Sequence, residues 1–252
     1  MAKGISIKFT NYSETIPRIL KLIKLDDELK KHDRVVLKPF ARDYDSPYTS
    51  PEFLEAVVKF CVENKKPNAE IIIAEGSDGE DTIELFESIG YKGIAEKYSV
   101  ALADLNKADV EEISSSDFMK FESVMYPKML KDSFIISLPK LFEDEETEML
   151  GSLANMIGVF PGDYYRGFFS SRKNKLRKWN MKYAIHDIIR CKMPQLAVID
   201  ASEKGFILAG QSLEMDKQAA KVLGREWKAI EHLKIADERF QEVEKKTPQQ
   251  KV

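Results

Sequence analysis

The stretch AEIIIAEG, residues 69–76, decides the fold. Its centre, Ile71 to Ala74, is apolar at every position, and Glu75 and Gly76 end the run abruptly. A strand with one wet face alternates apolar and polar residues. A strand buried on both faces does not, and such strands belong to parallel sheets covered by helices on either side. Upstream, TSPEFLEAVVKFCVEN places Ser50 as N-cap and Pro51 at the first helical position, which predicts a helix. Before that, RVVLKPF (residues 34–40) is a strand stopped by Pro39. ISIKF (5–9) alternates like a half-buried strand, and Ile16, Ile19, Leu20 and Ile23 carry helical spacing from Ser13 to about residue 29. Downstream, a helix over 82–89 ends at Gly90, and SVALADLN (99–106) is the next strand. The alternation predicts an α/β fold with a mostly parallel sheet and helices on both faces.

The middle of the chain is less regular. VEEIS and FESVM read as a short, irregular antiparallel edge, and FIISL (134–138) returns to the buried type. Residues 146–160 and 174–190 have helical periodicity. QLAVIDA (195–201) and GFILAG are strands, and LEMDKQAAKVLG and WKAIEHLKIADERF are helices. The expected organisation is a single domain over 1–242 with a polar, disordered tail over 243–252.

Composition limits the function. The 252 residues are 43% hydrophobic and 32% charged, with net charge −3, so no global field draws the chain to nucleic acid or an anionic membrane. Cys61 and Cys191 belong to no CxxC or metal-spaced pair and read as free thiols, which excludes a cysteine-built zinc or iron–sulfur site. The first residues lack an apolar signal core and no 18-residue apolar run occurs, so the expectation is a cytoplasmic protein without membrane contact. The oligomeric state is not readable.

In open α/β sheets, ligands bind at the carboxyl ends of the strands. Those ends supply Lys38, Glu75 with Gly76, Asp104, Lys140 and Asp200. Glu75, Asp104 and Asp200, joined by Asp43 or Asp45, are candidates for an all-oxygen Mg²⁺ site, although Asp at a strand end is also an ordinary turn former. EGSDGED (75–81) is a Gly-rich turn before a helix, but its acids repel phosphate, and turn plus helix cap is the plainer reading. Neither GxGxxG nor GxxxxGK[ST] is present. The densest basic cluster is RKNKLRK (172–178), with Arg166 before it and Lys182 after. Arg172, Lys175 and Lys178 are its candidate contacts for a phosphate-rich partner, including RNA, flanked by Phe168, Phe169 and Trp179; a solvated helix face is the commoner explanation. His32, His186 and His232 read as surface residues.

Taken in order, RVVLKPF, TSPEFLEAVVKF, AEIIIAEGS, IGYKGIAEKYSVALADLN, FIISLPKL, SLANMIGVFPG, PQLAVIDA and AGQSLEMDKQAAKVLG resemble the domain-of-unknown-function 362 family from residue 3 to about 240. The resemblance implies an α/β fold and no established activity. It also singles out Lys38, Pro39, Ser50, Pro51, Glu75, Gly76, Asp104, Asn155, Gly158, Asp200 and Asp216. Members sometimes carry ferredoxin-type modules, which this chain lacks. Where the family tends to read Lys-Leu-Lys-Thr-His, this chain reads Lys140-Leu141-Phe142-Glu143-Asp144. The run FEDEETEML (142–150) is thus a charge-reversed loop, with its acids expected to cap a helix from about Glu145.

These readings imply a non-catalytic or weakly catalytic module that binds a small anion or a macromolecule. Its candidate contacts are Lys38, Ser50, Glu75, Gly76, Asn155 and the basic 166–182 segment. The first half is also laid out like the lactate racemase family. That likeness implies a metal-assisted enzyme on a small anionic substrate, with Lys38 and Lys140 as base or anion holder. Association with RNA or the ribosome is the third expectation.

Overall fold

The computed structural model describes residues 4–246, with side chains described as far as residue 239. Nine strands occur among the described residues: β1 (Gly4–Lys8), β2 (Arg34–Pro39), β3 (Glu70–Glu75), β4 (Ala101–Asp104), β5 (Val110–Ser114), β6 (Ser123–Pro127), β7 (Phe134–Leu138), β8 (Leu196–Ala201) and β9 (Phe206–Gly210). Seven form one sheet in the order β1-β9-β8-β7-β2-β3-β4. The run from β8 to β4 is parallel throughout, and β9 is antiparallel to both its neighbours. The expected antiparallel pair in the middle of the chain exists, but β5 and β6 form a separate two-stranded sheet. The antiparallel edge of the main sheet comes instead from the first and ninth strands, a pairing across almost the whole chain.

Alternate residues of the central strands enter two cores, as continuous apolar runs require. Val35, Leu37, Ile71, Ile73 and Ile136 pack with α1 (Tyr12–Leu22), α2 (Leu25–Leu29), α3 (Pro51–Asn64), α4 (Thr82–Ser88) and α5 (Tyr91–Tyr98). Val36, Ile72, Ile135, Ala197 and Ile199 face the other layer. That layer holds α6 (Lys128–Lys131), α7 (Ser152–Asn155), α8 (Gly162–Tyr165), α9 (Met181–Cys191), α10 (Ser212–Val222) and α11 (Glu231–Lys246).

Several expected helices are interrupted. The helix read over 13–29 breaks at Lys24, which has φ of 61°. The helix read over 174–190 begins only at Met181, where the Asn180 side chain accepts from the Lys182 amide at 3.1 Å, and a 3-10 turn over Leu176–Lys178 precedes it. The α11 helix runs to Lys246, so only residues 247–252 of the expected tail lie outside the described residues. Among the described residues no helix is long and apolar enough to cross a membrane.

Candidate functional site

Lys38 and Glu75 stand at the carboxyl ends of the adjacent strands β2 and β3 and are 1% and 2% exposed. Lys38 Nζ donates to both Glu75 oxygens, at 2.9 and 2.8 Å, and to Asn155 Oδ1 at 2.9 Å. Glu75 also accepts from the amides of Gly76 and Ala41. Asn155, on α7, returns two bonds of 3.0 Å to Lys38 O and Ser137 Oγ. Burial holds the Lys38 amine below the ordinary lysine range, and the Glu75 charge opposes that shift. Each charge is paired and hydrogen-bonded, the condition under which a buried ion pair is tolerated.

Two glycines let the backbones close around this pair. A Cβ on Gly158 would sit 1.8 Å from Glu75 Oε1, and one on Gly76 would sit 2.5 Å from Gly158 O. Side chains at either position would drive the Glu75 carboxylate or the opposing loop out of place.

Beside the pair lies a cavity of about 490 Å³ including its mouth. The free interior is about 40 Å³, space for a few waters. Phe40, Leu150, Ala154, Ile157, Leu176 and Met181 give it apolar walls, and Arg42, Glu75, Asp78, Asp144, Glu146, Lys173 and Arg177 supply the charges. Most of these charges are matched. Arg42 reaches Asp144 at 3.0 Å, and Arg177 reaches Glu146 at 2.5 Å and Asp78 at 2.7 Å.

Lys173 differs. It is 2% exposed, yet its Nζ contacts only carbonyls, Gly76 O at 2.8 Å and Gly158 O at 3.2 Å, and among the described residues no carboxylate lies within 4.0 Å of it. Burial lowers its amine to about 8, with Glu75 and Asp78 opposing from longer range. The Lys173 amide is held by Asp78 Oδ1 at 2.6 Å, so the loop enters the site by backbone as well as side chain. Such a group can grip an anion as an ammonium or, neutral, act as a nucleophile.

The acidic run does not cap a helix of its own, since none starts near Glu145. Phe142 and Leu150 form an antiparallel bridge, and Asp144 Oδ2 accepts from the Glu146 and Thr147 amides and from Thr147 Oγ1. Glu148 has φ of 65° and accepts from Arg225 and the Glu231 amide. The loop is therefore a closed turn whose Asp144 and Glu146 hold Arg42 and Arg177 at the cavity mouth. The α7 helix that follows is capped from far away: Asp216 on α10 accepts from the Ser152 and Leu153 amides at 2.6 and 2.9 Å. Burial pushes the Asp216 carboxyl up to about 7 in spite of those bonds.

Of the residues expected from sequence, Lys38, Glu75, Gly76 and Asn155 meet here. The carboxylate trio does not. Glu75 and Asp104 are register partners on β3 and β4, but Asp200 on β8 is separated from β3 by β7 and β2. Asp104 caps the Asn106 amide, and Asp200 accepts from Tyr12 Oη and the Ser202 amide. Among the described residues no group of three or more His, Cys, Asp or Glu side chains could hold a metal ion. Lys140 points away to Glu203 at 2.7 Å, and Ser50 serves as the α3 N-cap. Arg172 reaches Asp43 at 3.8 Å, Lys175 bonds Tyr164 O at 2.8 Å, and Lys178 is exposed. His186 and His232 are buried, not on the surface; burial lowers His232 to about 4, and His186 bonds Asp187, which caps the amides of Met119, Lys120 and Phe121. Sequence reasoning placed Lys173 and Arg177 only in the basic 166–182 segment, apart from the Lys38–Glu75 group, and missed Arg42, Asp144 and Glu146 as site residues. Arg42, Asp144 and Glu146 lie in irregular segments and Arg177 in a 3-10 turn, and none carries a periodic signal.

No curated protein matches the chain. Among solved structures, the lactate racemase apoprotein from Thermoanaerobacterium thermosaccharolyticum is similar with a TM-score of 0.60 at 13% identity, over 89% of this chain and 58% of that one. The chain thus spans somewhat more than half that protein's length, and the likeness is one of fold. The model of the family described as Domain of unknown function (DUF362) matches residues 35–207, and the chain belongs to that family.

Proposed function

We propose that the strand-end crevice binds a small molecule bearing an acidic group, with Lys173 as the gripping cation. The observation that carries this reading is the buried Lys173 amine, which belongs to a residue lining the cavity and has no carboxylate in contact. An unpaired buried ammonium is costly, and a ligand carboxylate is the partner that removes the cost. The apolar walls favour a short aliphatic body behind the acid. Lactate, in the racemase's name, is an acid of this class, but at 13% identity that likeness carries no weight for function. The locked Lys38–Glu75–Asn155 unit supports a binding role, since its amine is fully engaged by acceptors. Calorimetric titration with propionate and lactate tests the reading. Binding that is lost in Lys173→Met and kept in Lys140→Met supports it; equal binding by both variants overturns it.

A second reading, nucleic-acid association through the 166–182 segment, is favoured by one observation. Phe168 and Phe169 are 93% and 96% exposed between Arg166 and Arg172, with Trp179 exposed nearby. Aromatic faces among cations suit single-stranded RNA. Binding to poly-uridine that weakens with salt and is abolished by reversing Arg172, Lys175 and Lys178 supports it; salt-independent or unchanged binding removes it.

A further inference from the structure

We infer that Lys173 forms a covalent imine with small aldehydes or keto acids that enter the strand-end crevice. This rests on the acid-binding reading above and adds a reactive step to it. Two buried lysines stand at the site, and their surroundings differ in the way that matters for nucleophilicity. Lys38 Nζ is clamped by both Glu75 oxygens and Asn155 Oδ1, so all three of its donor directions are spent on acceptors and none of them faces a ligand. Lys173 Nζ donates two bonds, to Gly76 O and Gly158 O, and meets no carboxylate. Two donated bonds match the two N–H groups of a neutral amine, and they leave its lone pair without a partner on a residue that lines the cavity.

The walls suit the rest of the reaction. Apolar Ile157, Leu176 and Phe40 limit the water that would hydrolyse an imine. At the mouth, Arg42 spends Nε on Ser46 and Nη1 on Asp144, and its remaining donors suit the carboxylate of a keto acid. In the step itself the Lys173 nitrogen pair forms a bond to the carbonyl carbon and the carbonyl π pair moves to oxygen. Loss of that oxygen as water then leaves the C=N bond. Both amine protons depart in the water, nothing is oxidised or reduced, and no further reactant is needed.

The test is reductive trapping on the full chain. The protein is incubated with glyoxylate and cyanoborohydride near pH 7, and the alkylated lysines are identified by peptide mass spectrometry. With an amine near 8 against about 10.5 for exposed lysines, neutral Lys173 is favoured by on the order of a hundredfold. Its labelling is therefore expected to exceed that of exposed lysines by at least about tenfold. Propionate is expected to protect it, and the Lys173→Arg variant to show no preferred site. Labelling spread over surface lysines with Lys173 unmodified overturns the inference. The wild-type preference and the propionate protection decide the matter even if the variant fails to fold. If propionate binds but Lys173 is not trapped, imine formation is wrong and the acid-binding reading stands; if propionate does not bind, that reading falls first.

Discussion

At the scale of single residues, two buried amines, Lys38 and Lys173, lie against Gly158. Lys38 is structural. Replacing it with Met leaves Glu75 buried without its cation, and chemical denaturation is expected to show a loss of about 3–5 kcal/mol, most of it recovered in the Lys38→Met/Glu75→Gln double variant. Lys173 is poised rather than locked, and its signature is a pH slope. In the unfolded chain it titrates near 10.5, and in the folded chain burial brings it to about 8. Between those values the unfolded chain holds a proton the folded chain has shed, so folding stability rises with pH, by about 3 kcal/mol in all. Below pH 8 the full penalty of the buried charge remains. Denaturation of wild type and Lys173→Met from pH 7 to 10.5 is expected to show the wild type gaining on the variant across that window. Parallel curves would contradict it.

At the scale of elements, closeness and closure do the work. Gly158 lets its loop lie against Glu75, and Gly158→Ala is expected to cost about 1–3 kcal/mol and to weaken acid binding, since the added methyl meets the carboxylate rather than space. The acidic turn holds Arg42 through Asp144. Asp144→Asn is expected to release that guanidinium and tighten propionate binding by on the order of fivefold, about 1 kcal/mol, read by calorimetry. The elements also show what was legible in the sequence. β2, β3, β7 and β8 were readable because burial on both faces leaves unbroken apolar runs, and α3 because Ser50 and Pro51 mark its start. Of the helix read over 146–160 only the second half forms, as α7 and a 3-10 turn over Met156–Val159, because Glu148 turns left-handed and Gly151 precedes a start capped by Asp216 from another part of the chain. Leu153 and Met156 lie in those helical turns, while Met149 is buried in the preceding bend, which periodicity cannot separate from a helix.

For the whole molecule, the strand order puts β2 and β3 side by side and so brings Lys38 to Glu75, 37 positions apart in sequence. Sequence named both as strand-end residues, which is why half of the site was legible. The same order sets Asp200 two strands away, and no local signal distinguishes a carboxylate at β4 or β8 from one at β3. Lys173 was invisible for the opposite reason. It sits in an irregular loop among five other cations, and only the packing of that loop against Gly76 and Gly158 turns it inward. The strand order places the crevice beside the ends of β2 and β3, and the proposed chemistry rests on the buried Lys173 amine.

The most direct measurement is a pH titration of the protein with ¹³Cε-labelled lysine, followed by NMR with and without propionate, with Lys173→Arg used to assign the resonance. The expected result is a Lys173 signal titrating near 8 that moves to higher pH when propionate is added, because a bound carboxylate favours the ammonium form. A Lys173 signal titrating with the exposed lysines near 10.5, or one that ignores propionate, would contradict the account.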